Sequence, residues 1–228
     1  MPVKIQKIEI QKILNGLDLL IARDNYLLSV DANERSITHK LGEYYQQLFL
    51  EWNVDCEYNK NLLDPKIIQI DPRDFLKKMA NLVVKEGDGS RKYFSKDEFS
   101  KEDLDDLAQQ LQDENNVLYD DELDLVYFVM KLTNNKKIVK TIFPDIIIHH
   151  RGTRNNYIVI ETKKSQNINR SSRLYDLVKL VVLVNSSEFN YKQGFFIDIP
   201  TGSDISRHEN FKVEPLVLEK KVFQVKSK

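Results

Sequence analysis

The sequence predicts an α/β domain, because segments with helical periodicity alternate along the chain with apolar runs of strand length. Apolar side chains recur every three or four positions within residues 34–51, which is the spacing of one buried helix face. The apolar runs at 138–149 and 157–163 are short and bounded by polar turn residues, as buried strands are. These three segments together indicate helices packed against a β-sheet.

The remaining core elements extend this pattern. Residues 53–58 alternate polar and apolar side chains, which predicts a strand directly after the first helix. A helix is predicted at 172–185, with Ser172 as its N-cap, and a buried strand is predicted at 194–199. Residues 211–225 are expected to hold one or two further strands.

The whole chain is expected to form one domain with two additions to its core. Residues 1–33 form an N-terminal extension whose helix covers 4–22, where isoleucine and leucine recur near the helical period. Residues 61–136 form an insertion between the first and second core strands. The insertion is predicted to be largely helical, with helices at 101–113 and 120–132.

Composition places the chain among ordinary folded proteins. Of its 228 residues, 41% are hydrophobic and 30% are charged, which is too apolar for a disordered chain. No apolar run approaches the ~20 residues that a membrane span needs, and the N-terminus lacks the apolar core of a signal peptide. A cytoplasmic protein without membrane association is therefore expected. Cys56 is the only cysteine, which rules out an intrachain disulfide and argues against a thiolate zinc site.

The formal net charge of −1 hides an uneven distribution of charged residues. Acidic side chains crowd into residues 97–124, whereas residues 151–179 contain seven lysines and arginines. Oppositely charged regions can cancel in the sum and still leave one basic face that binds nucleic acid. The alternative is a mixed, solvated surface without such a face.

The most informative residues are two acids and a lysine at the ends of the two apolar runs. Asp145 opens the first run, and Glu161 and Lys163 close the second. If the runs form a hairpin closed symmetrically around Thr153, Asp145 faces Glu161 with about 5 Å between their Cβ atoms. Strand alternation then places Lys163 on the same face as Glu161. A register different by one residue would send Asp145 to the opposite face.

This grouping suits phosphodiester hydrolysis. Opposed carboxylates repel each other, and a hard cation such as Mg²⁺ converts that repulsion into binding, because it takes oxygen ligands from carboxylates, phosphates and waters. Such a cation polarises a phosphodiester and lowers the pKa of a bound water, while a nearby lysine stabilises developing negative charge. The alternative is that the three residues are simply polar side chains at the rim of a sheet.

Spacing alone is weak evidence for this site, because Asp204 with Glu219 and Lys221 has the same pattern. The surroundings distinguish the two sets. Asp145 opens a run of three isoleucines, whereas Asp204 follows Gly and Ser in a segment typical of a loop. The strand context therefore favours the set that begins at Asp145.

The motif Pro144-Asp145 followed by Glu161-Thr162-Lys163 resembles the signature of the PD-(D/E)XK nuclease superfamily. That resemblance implies a restriction-endonuclease-like core, in which helices flank a mixed central β-sheet. The predicted elements within about 34–60 and 138–199 follow the order of that fold, and the long insertion is the departure from it.

The resemblance also implies roles for individual residues. Asp145 and Glu161 would bind the metal ion, together with the main-chain carbonyl of Thr162, and Lys163 would be the catalytic lysine. Many members add a glutamate from the first helix, for which Glu43 is the candidate. The superfamily also includes members that have lost activity.

Three further residues are candidates for contact with nucleic acid. His39 shares a helix face with Glu43 and could contact a phosphate, although an exposed polar pair is the alternative. Arg173 lies near the start of the following helix, whose free N–H groups can bind a phosphate. Lys179 lies on the same helix, where its spacing from Asp176 is more typical of a surface ion pair.

These observations predict a Mg²⁺-dependent nuclease, with Mn²⁺ as an alternative metal, acting on DNA as an endonuclease. A restriction or phage-defence role suits such an enzyme by analogy, and enzymes that cut both strands often form homodimers. RNA is the alternative substrate. The alternative function is an inactive module of the same fold that binds nucleic acid or a protein partner.

Overall fold

A computed structural model of the chain describes residues 2–72, 74–75, 82–85, 91–94, 121–134, 136–207, 211–215 and 222–227. The predicted helix at 101–113 lies outside these ranges. The α-helices of the described residues are α1 Pro2–Ser29, α2 Glu34–Leu48, α3 Asp121–Thr133 and α4 Arg170–Asn185. The strands are β1 Asn53–Cys56, β2 Lys60–Asn61, β3 Asp64–Pro65, β4 Ile67–Ile70, β5 Leu82–Lys85, β6 Arg91–Phe94, β7 Ile138–Thr141, β8 Ile146–His149, β9 Asn156–Lys164, β10 Gln193–Ile199, β11 Phe211–Pro215 and β12 Val222–Ser227.

The central sheet is mixed and has the strand order β1-β8-β9-β10-β12-β11. Strand β8 lies between β1 and β9 and pairs antiparallel with both. Strand β10 runs parallel to both β9 and β12, and α4 forms the crossover between β9 and β10. This arrangement confirms the predicted α/β class, with helices on a mixed central sheet.

The hairpin register predicted from the sequence is confirmed. Ile146 pairs with Ile160 and Ile148 pairs with Ile158, as a hairpin centred on Thr153 requires. An irregularity follows between Ile148 and His149, close to the turn, and does not reach the other end of the hairpin. Continuing the register by one residue places Asp145 opposite Glu161.

Two apolar layers cover the sheet because its strands are apolar on both faces. Helices α1 and α2 pack on the face that carries Ile146, Ile148, Ile158 and Ile160. Helices α3 and α4 pack on the opposite face, which carries Ile147, Val159 and Phe196. Alternation along β8 and β9 therefore directs Asp145, Glu161 and Lys163 toward the α4 side.

Close packing of α1 on α2 depends on a glycine. A Cβ atom built on Gly16 would lie 2.2 Å from Cε1 of Tyr45, whose ring is fully buried and whose hydroxyl donates to the carbonyl of Ile13. Only a residue without a side chain fits there, so Gly16 fixes how deeply α2 sits on the N-terminal helix.

Two sequence-based details were wrong. The predicted strand at 138–149 is two strands, because the segment that ends in Pro144 interrupts the pairing, and β7 joins β4 in a separate two-stranded sheet. The N-cap of α4 is Asn169 rather than Ser172, and its side chain accepts a hydrogen bond from the Ser172 N–H at 3.0 Å.

The described part of the insertion contains one predicted helix and several unpredicted strands. Helix α3 confirms the helix expected at 120–132. The pairs β2–β3 and β5–β6, together with β4, show that this region also contains short antiparallel sheets. Among the described residues, no helix combines the length and the apolar character that crossing a bilayer would require.

Lys66 is a buried cation in the apolar layer beneath α4. Only 2% of its surface is exposed, and its Nζ donates to the hydroxyl of Tyr191 at 2.7 Å. The rings of Tyr58 and Tyr191 lie 5.8 and 5.2 Å from Nζ. Because burial disfavours the charged form, it lowers the pKa of Lys66 to about 8.

This shift predicts a specific pH dependence of stability. The unfolded chain keeps the Lys66 proton up to about pH 10.4, whereas the folded protein releases it near pH 8. Below pH 8, the buried Lys66 is charged and lowers the free energy of unfolding by the full amount. Above pH 8, the folded protein loses this proton and the destabilisation decreases. Relative to Lys66→Met, the wild type should gain about 3 kcal/mol of unfolding free energy as pH rises through this window.

Urea unfolding of both proteins at several pH values measures the difference directly. The Lys66→Met variant serves as the control for tyrosines and other groups that titrate in the same range. If the unfolding free energies of the two proteins change in parallel with pH, the lowered pKa of Lys66 is contradicted.

Candidate active site

The predicted acids and lysine come together at one end of the β8–β9 hairpin, beneath α4. The site also contains three residues that the sequence did not assign to it. We call the following six residues the acid–lysine cluster: Glu34, Asp145, Glu161, Lys163, Asp176 and Lys179.

Glu161 is the most buried member of the cluster, with 0% of its surface exposed. Its Oε2 accepts a hydrogen bond from Nζ of Lys179 at 2.7 Å. Its Oε1 is equally buried and has no hydrogen-bond partner among the described residues. Burial raises the pKa of Glu161 well above its usual value, against the opposing effect of Lys179. An orphaned carboxylate oxygen of this kind is costly unless something else binds it.

Asp145 is half-buried and is held by the neighbouring strand. Its Oδ2 accepts from the N–H of Thr162 at 2.7 Å and from the Thr162 hydroxyl at 3.1 Å. The Thr162 hydroxyl oxygen in turn lies 2.7 Å from that of Thr38 on α2, so these hydroxyls link α2 to Asp145. Burial raises the pKa of Asp145, although the Thr162 N–H opposes the shift.

Lys163 is held by an ion pair and two hydrogen bonds. Its Nζ lies 2.8 Å from Oδ2 of Asp176, donates to Oε1 of Glu34 at 2.8 Å, and donates to the Thr162 carbonyl at 3.2 Å. Burial alone would lower the pKa of Lys163, but Asp176 and Glu34 together raise it above its usual value. Lys163 therefore remains a cation at neutral pH and is suited to stabilise negative charge rather than to remove a proton.

The expectation that Asp176 and Lys179 form a surface pair was wrong. Both are buried, and Nζ of Lys179 bridges Oδ1 of Asp176 and Oε2 of Glu161, at 2.7 Å from each. Burial would lower the pKa of Lys179, but Glu161 and Asp176 raise it, so the side chain stays charged. A sequence signal existed: Lys179 interrupts the apolar run 177–184, and a lone charge in such a run faces the core.

The helix glutamate at the cluster is Glu34 rather than Glu43. Glu34 is the first residue of α2, and it contacts both Lys163 and the N–H of Lys164, the latter at 3.3 Å. Glu43 lies in the middle of α2 with 62% of its side chain exposed, and it pairs with Lys40 at 2.8 Å. The N-terminus of α2 lies at this end of the sheet, whereas the face that carries Glu43 is turned to solvent.

The basic residues between 151 and 179 are mostly paired with acids. Arg151 bonds Asp55, and Lys164 lies 2.9 Å from an oxygen of Asp31. Arg173 pairs with Asp198 on β10 and lies over the ring of Phe196, at 5.1 Å from its centroid. Of the three residues predicted to bind nucleic acid, Arg173 and Lys179 are thus engaged within the protein. His39 is exposed and keeps that prediction open.

The cluster has excess negative charge. When every group is ionised, its four carboxylates exceed its two lysines by two charges, all in a largely buried region. A divalent cation would balance this excess, and so would two protons on the raised-pKa acids Asp145 and Glu161. The oxygen-only donors are the kind that Mg²⁺ and Mn²⁺ prefer, and the orphaned Oε1 of Glu161 fits a metal ligand.

The donor set also limits how a cation could bind. Across the described part of the chain, no three Asp, Glu, His or Cys side chains are already arranged around a common metal position. A cation bound by Asp145 and Glu161 would therefore complete its coordination with main-chain, water or phosphate oxygens. Mg²⁺ is commonly bound in this way, through one or two carboxylates and its substrate.

Comparisons of the chain with protein-family models, curated proteins and solved structures found no match. The case for a function therefore depends on the geometry and charge of the acid–lysine cluster.

Proposed function

We propose that this protein is a divalent-metal-dependent nuclease that hydrolyses DNA at the acid–lysine cluster. The observation that carries this proposal is the fully buried Glu161, whose Oε1 has no partner in the described part of the chain and whose strand register sets it opposite Asp145. A largely buried cluster whose four carboxylates exceed its two lysines by two charges is costly for a structural element alone. Metal-dependent phosphodiester hydrolysis would explain why the protein keeps these unfavourably buried charges.

The order of the core elements supports a restriction-endonuclease-like assignment. Helix α2, the antiparallel strands β1, β8 and β9, helix α4 and the parallel strand β10 follow the order of the PD-(D/E)XK core. Asp145 directly precedes the second of these strands, β8, and Glu161, Thr162 and Lys163 lie on the third, β9, which is the arrangement that the resemblance implies. DNA as the substrate follows from the same resemblance, and matched DNA and RNA substrates would separate these two alternatives.

The residues of this chain would have distinct roles. Asp145 and Glu161 would hold Mg²⁺, with the Thr162 carbonyl as a candidate third donor. When bound, Mg²⁺ would polarise the phosphodiester and lower the pKa of a coordinated water. Lys163, a fixed cation, would stabilise negative charge on the phosphate oxygens. Glu34 and Asp176 would orient Lys163, and Thr38 and Thr162 would orient Asp145.

A non-catalytic module is the second candidate, and one contact favours it. Lys179 already neutralises one oxygen of Glu161 from within the protein. In an active enzyme, Lys179 would assist Glu161 beside the metal, whereas in an inactive module it would take the place of the metal. The two candidates differ in whether the carboxylates take up a cation.

Metal uptake and cleavage test the proposal together. Calorimetric titration with Mg²⁺ or Mn²⁺ is expected to give a binding isotherm that chelator abolishes. Supercoiled plasmid is expected to be nicked or linearised by the purified protein in Mg²⁺ and left intact with chelator. Matched RNA and linear DNA complete the substrate set. If the protein shows no metal uptake and no cleavage with either metal, the nuclease proposal is rejected and the inactive module remains.

A further inference from the structure

A pocket lies between strands β4 and β7 and the C-terminal end of α4, which contributes Val182 and Asn185 to its lining. The pocket encloses about 630 Å³, which is within the roughly 300–1,000 Å³ of small-molecule sites. The acid–lysine cluster uses Asp176 and Lys179 from earlier turns of the same helix, and neither residue lines the pocket. The pocket is therefore a separate feature, and what it binds does not depend on the proposed nuclease function.

Part of the lining is apolar because of the alternation along β4. Ile68 and Ile70 are buried in the core. Ile67 and Gln69 alternate with them and line the pocket, and Val139 on β7 pairs with Gln69 and joins this lining. Ile67 and Val139 keep 43% and 61% of their surface exposed. A ligand with methylene groups would cover this open apolar surface.

The charged part of the lining is acidic. It consists of four carboxylates, those of Asp64, Asp71, Asp74 and Glu188. Among the described residues that line the pocket, none is a lysine, an arginine or a histidine. Lys66 lies next to this lining in the chain, but its Nζ is turned into the core, where it donates to Tyr191. The charged side chains of the lining are thus all of one sign, which favours a cationic ligand.

Two further features favour positive charge in the pocket. Oε1 of Glu188 accepts from the side-chain amide of Asn61 at 2.9 Å, and the Glu188 N–H donates to the Ser186 hydroxyl at 3.2 Å. Asn185 and Ser186, the last residue and the C-cap of α4, also line the pocket, and the carbonyl end of a helix carries partial negative charge. An entering cation would therefore meet a carboxylate that is already held in position.

We propose that this pocket binds a linear aliphatic polyamine. The methylene segments of the polyamine would cover Ile67 and Val139, and its ammonium groups would pair with the surrounding carboxylates. An inorganic cation lacks the apolar segments, and an anionic metabolite would be repelled by the acidic lining. A lysine-rich protein segment offers the same chemical groups, but the enclosed volume is that of a small-molecule site.

Calorimetric titration with spermidine tests the proposal, using the whole chain at physiological ionic strength without DNA or divalent metal. Saturable binding is expected. Asp64→Asn/Glu188→Gln should weaken it by about tenfold, because two ion pairs with the ligand are lost. Ile67→Ser, which replaces an exposed apolar side chain, should weaken it by about threefold through the lost apolar contact. Wild-type protein that takes up no spermidine would overturn the proposal.

Glu43→Gln/Glu51→Gln is the matched control for the acidic lining. It removes the same charge from two exposed carboxylates that lie outside the pocket. This control should bind spermidine as tightly as wild type. If it loses as much affinity as Asp64→Asn/Glu188→Gln, spermidine is attracted only by net charge and the pocket is rejected as its site.

Two other probes test the chemical class of the ligand. Hexaamminecobalt(III) has the charge of spermidine but no methylene groups, so it should bind about tenfold more weakly. Equal affinity for the two cations would reject the role of the apolar lining. A lysine tripeptide that binds more tightly than spermidine would also overturn the proposal, because the pocket would then suit a protein partner.

Discussion

Asp145→Asn is expected to abolish Mg²⁺-dependent cleavage, with a rate loss on the order of 10³-fold or more. Asparagine keeps an oxygen that can accept from the Thr162 N–H, so the local geometry survives the change. What disappears is one of the two charges that oppose each other across the hairpin. Initial rates of plasmid nicking at saturating Mg²⁺ measure the loss, and calorimetry should show that metal uptake falls with it.

Glu43→Gln is the matched control for this substitution. Glu43 is an exposed carboxylate that pairs with Lys40, and its loss leaves the acid–lysine cluster unchanged. Cleavage should therefore continue in Glu43→Gln at the wild-type rate. Cleavage by Asp145→Asn at the wild-type rate would reject Asp145 as a metal ligand. Loss of cleavage in Glu43→Gln would reject Glu34 as the helix glutamate of the site.

Lys179→Met is expected to cost about 3–5 kcal/mol of unfolding free energy in the presence of chelator. Methionine matches the length of the lysine stem, so the apolar packing changes little. The substitution leaves Glu161 and Asp176 buried without the ammonium that bridges them at 2.7 Å. Removing one partner of a buried ion pair is costly because the remaining charge is not solvated. Denaturant unfolding of wild type and variant gives the difference.

The double variant Glu161→Gln/Lys179→Met tests the cause of this loss. Once Glu161 is neutral, less charge is left unpaired, so the double variant should be more stable than Lys179→Met alone. A double-mutant cycle then gives a coupling free energy between the two residues. If the two single effects simply add, Lys179 stabilises the fold by packing rather than by neutralising Glu161.

The hairpin shows what local sequence can establish. The predicted register rests on the assumption of a symmetric turn around Thr153, because β8 and β9 are apolar on both faces and a shift by one residue would still bury apolar side chains. The opposition of Asp145 and Glu161 and the shared face of Glu161 and Lys163 follow from that register. These relations involve residues close in sequence, and the structure bears them out: the register leads to Asp145 opposite Glu161, and Asp176 and Lys179 link Lys163 to Glu161 on one face.

The helices show where local reasoning fails. The apolar side chains that recur every three or four positions in 34–51 predict which face of α2 is buried. They do not predict which turn of the helix lies at the end of the sheet. Glu34 begins α2 at the end of the sheet, whereas Glu43 lies later in the helix on its solvent-facing side, and the packing of α2 on α1 through Gly16 and Tyr45 fixes both positions. In α4, the spacing of Asp176 and Lys179 fits a solvated pair or a buried one equally well.

The sequence by itself determined the α/β class and, once the hairpin was assumed to be symmetric around Thr153, predicted the β8–β9 register and the meeting of two acids and a lysine at one strand end. These depend on periodicity and chain connectivity. Only the tertiary structure decided that Glu34, Asp176 and Lys179 join them and that Arg173 is tied to Asp198. Contacts between distant segments depend on how whole helices sit on the sheet, and that is set by packing across the core rather than by any local pattern.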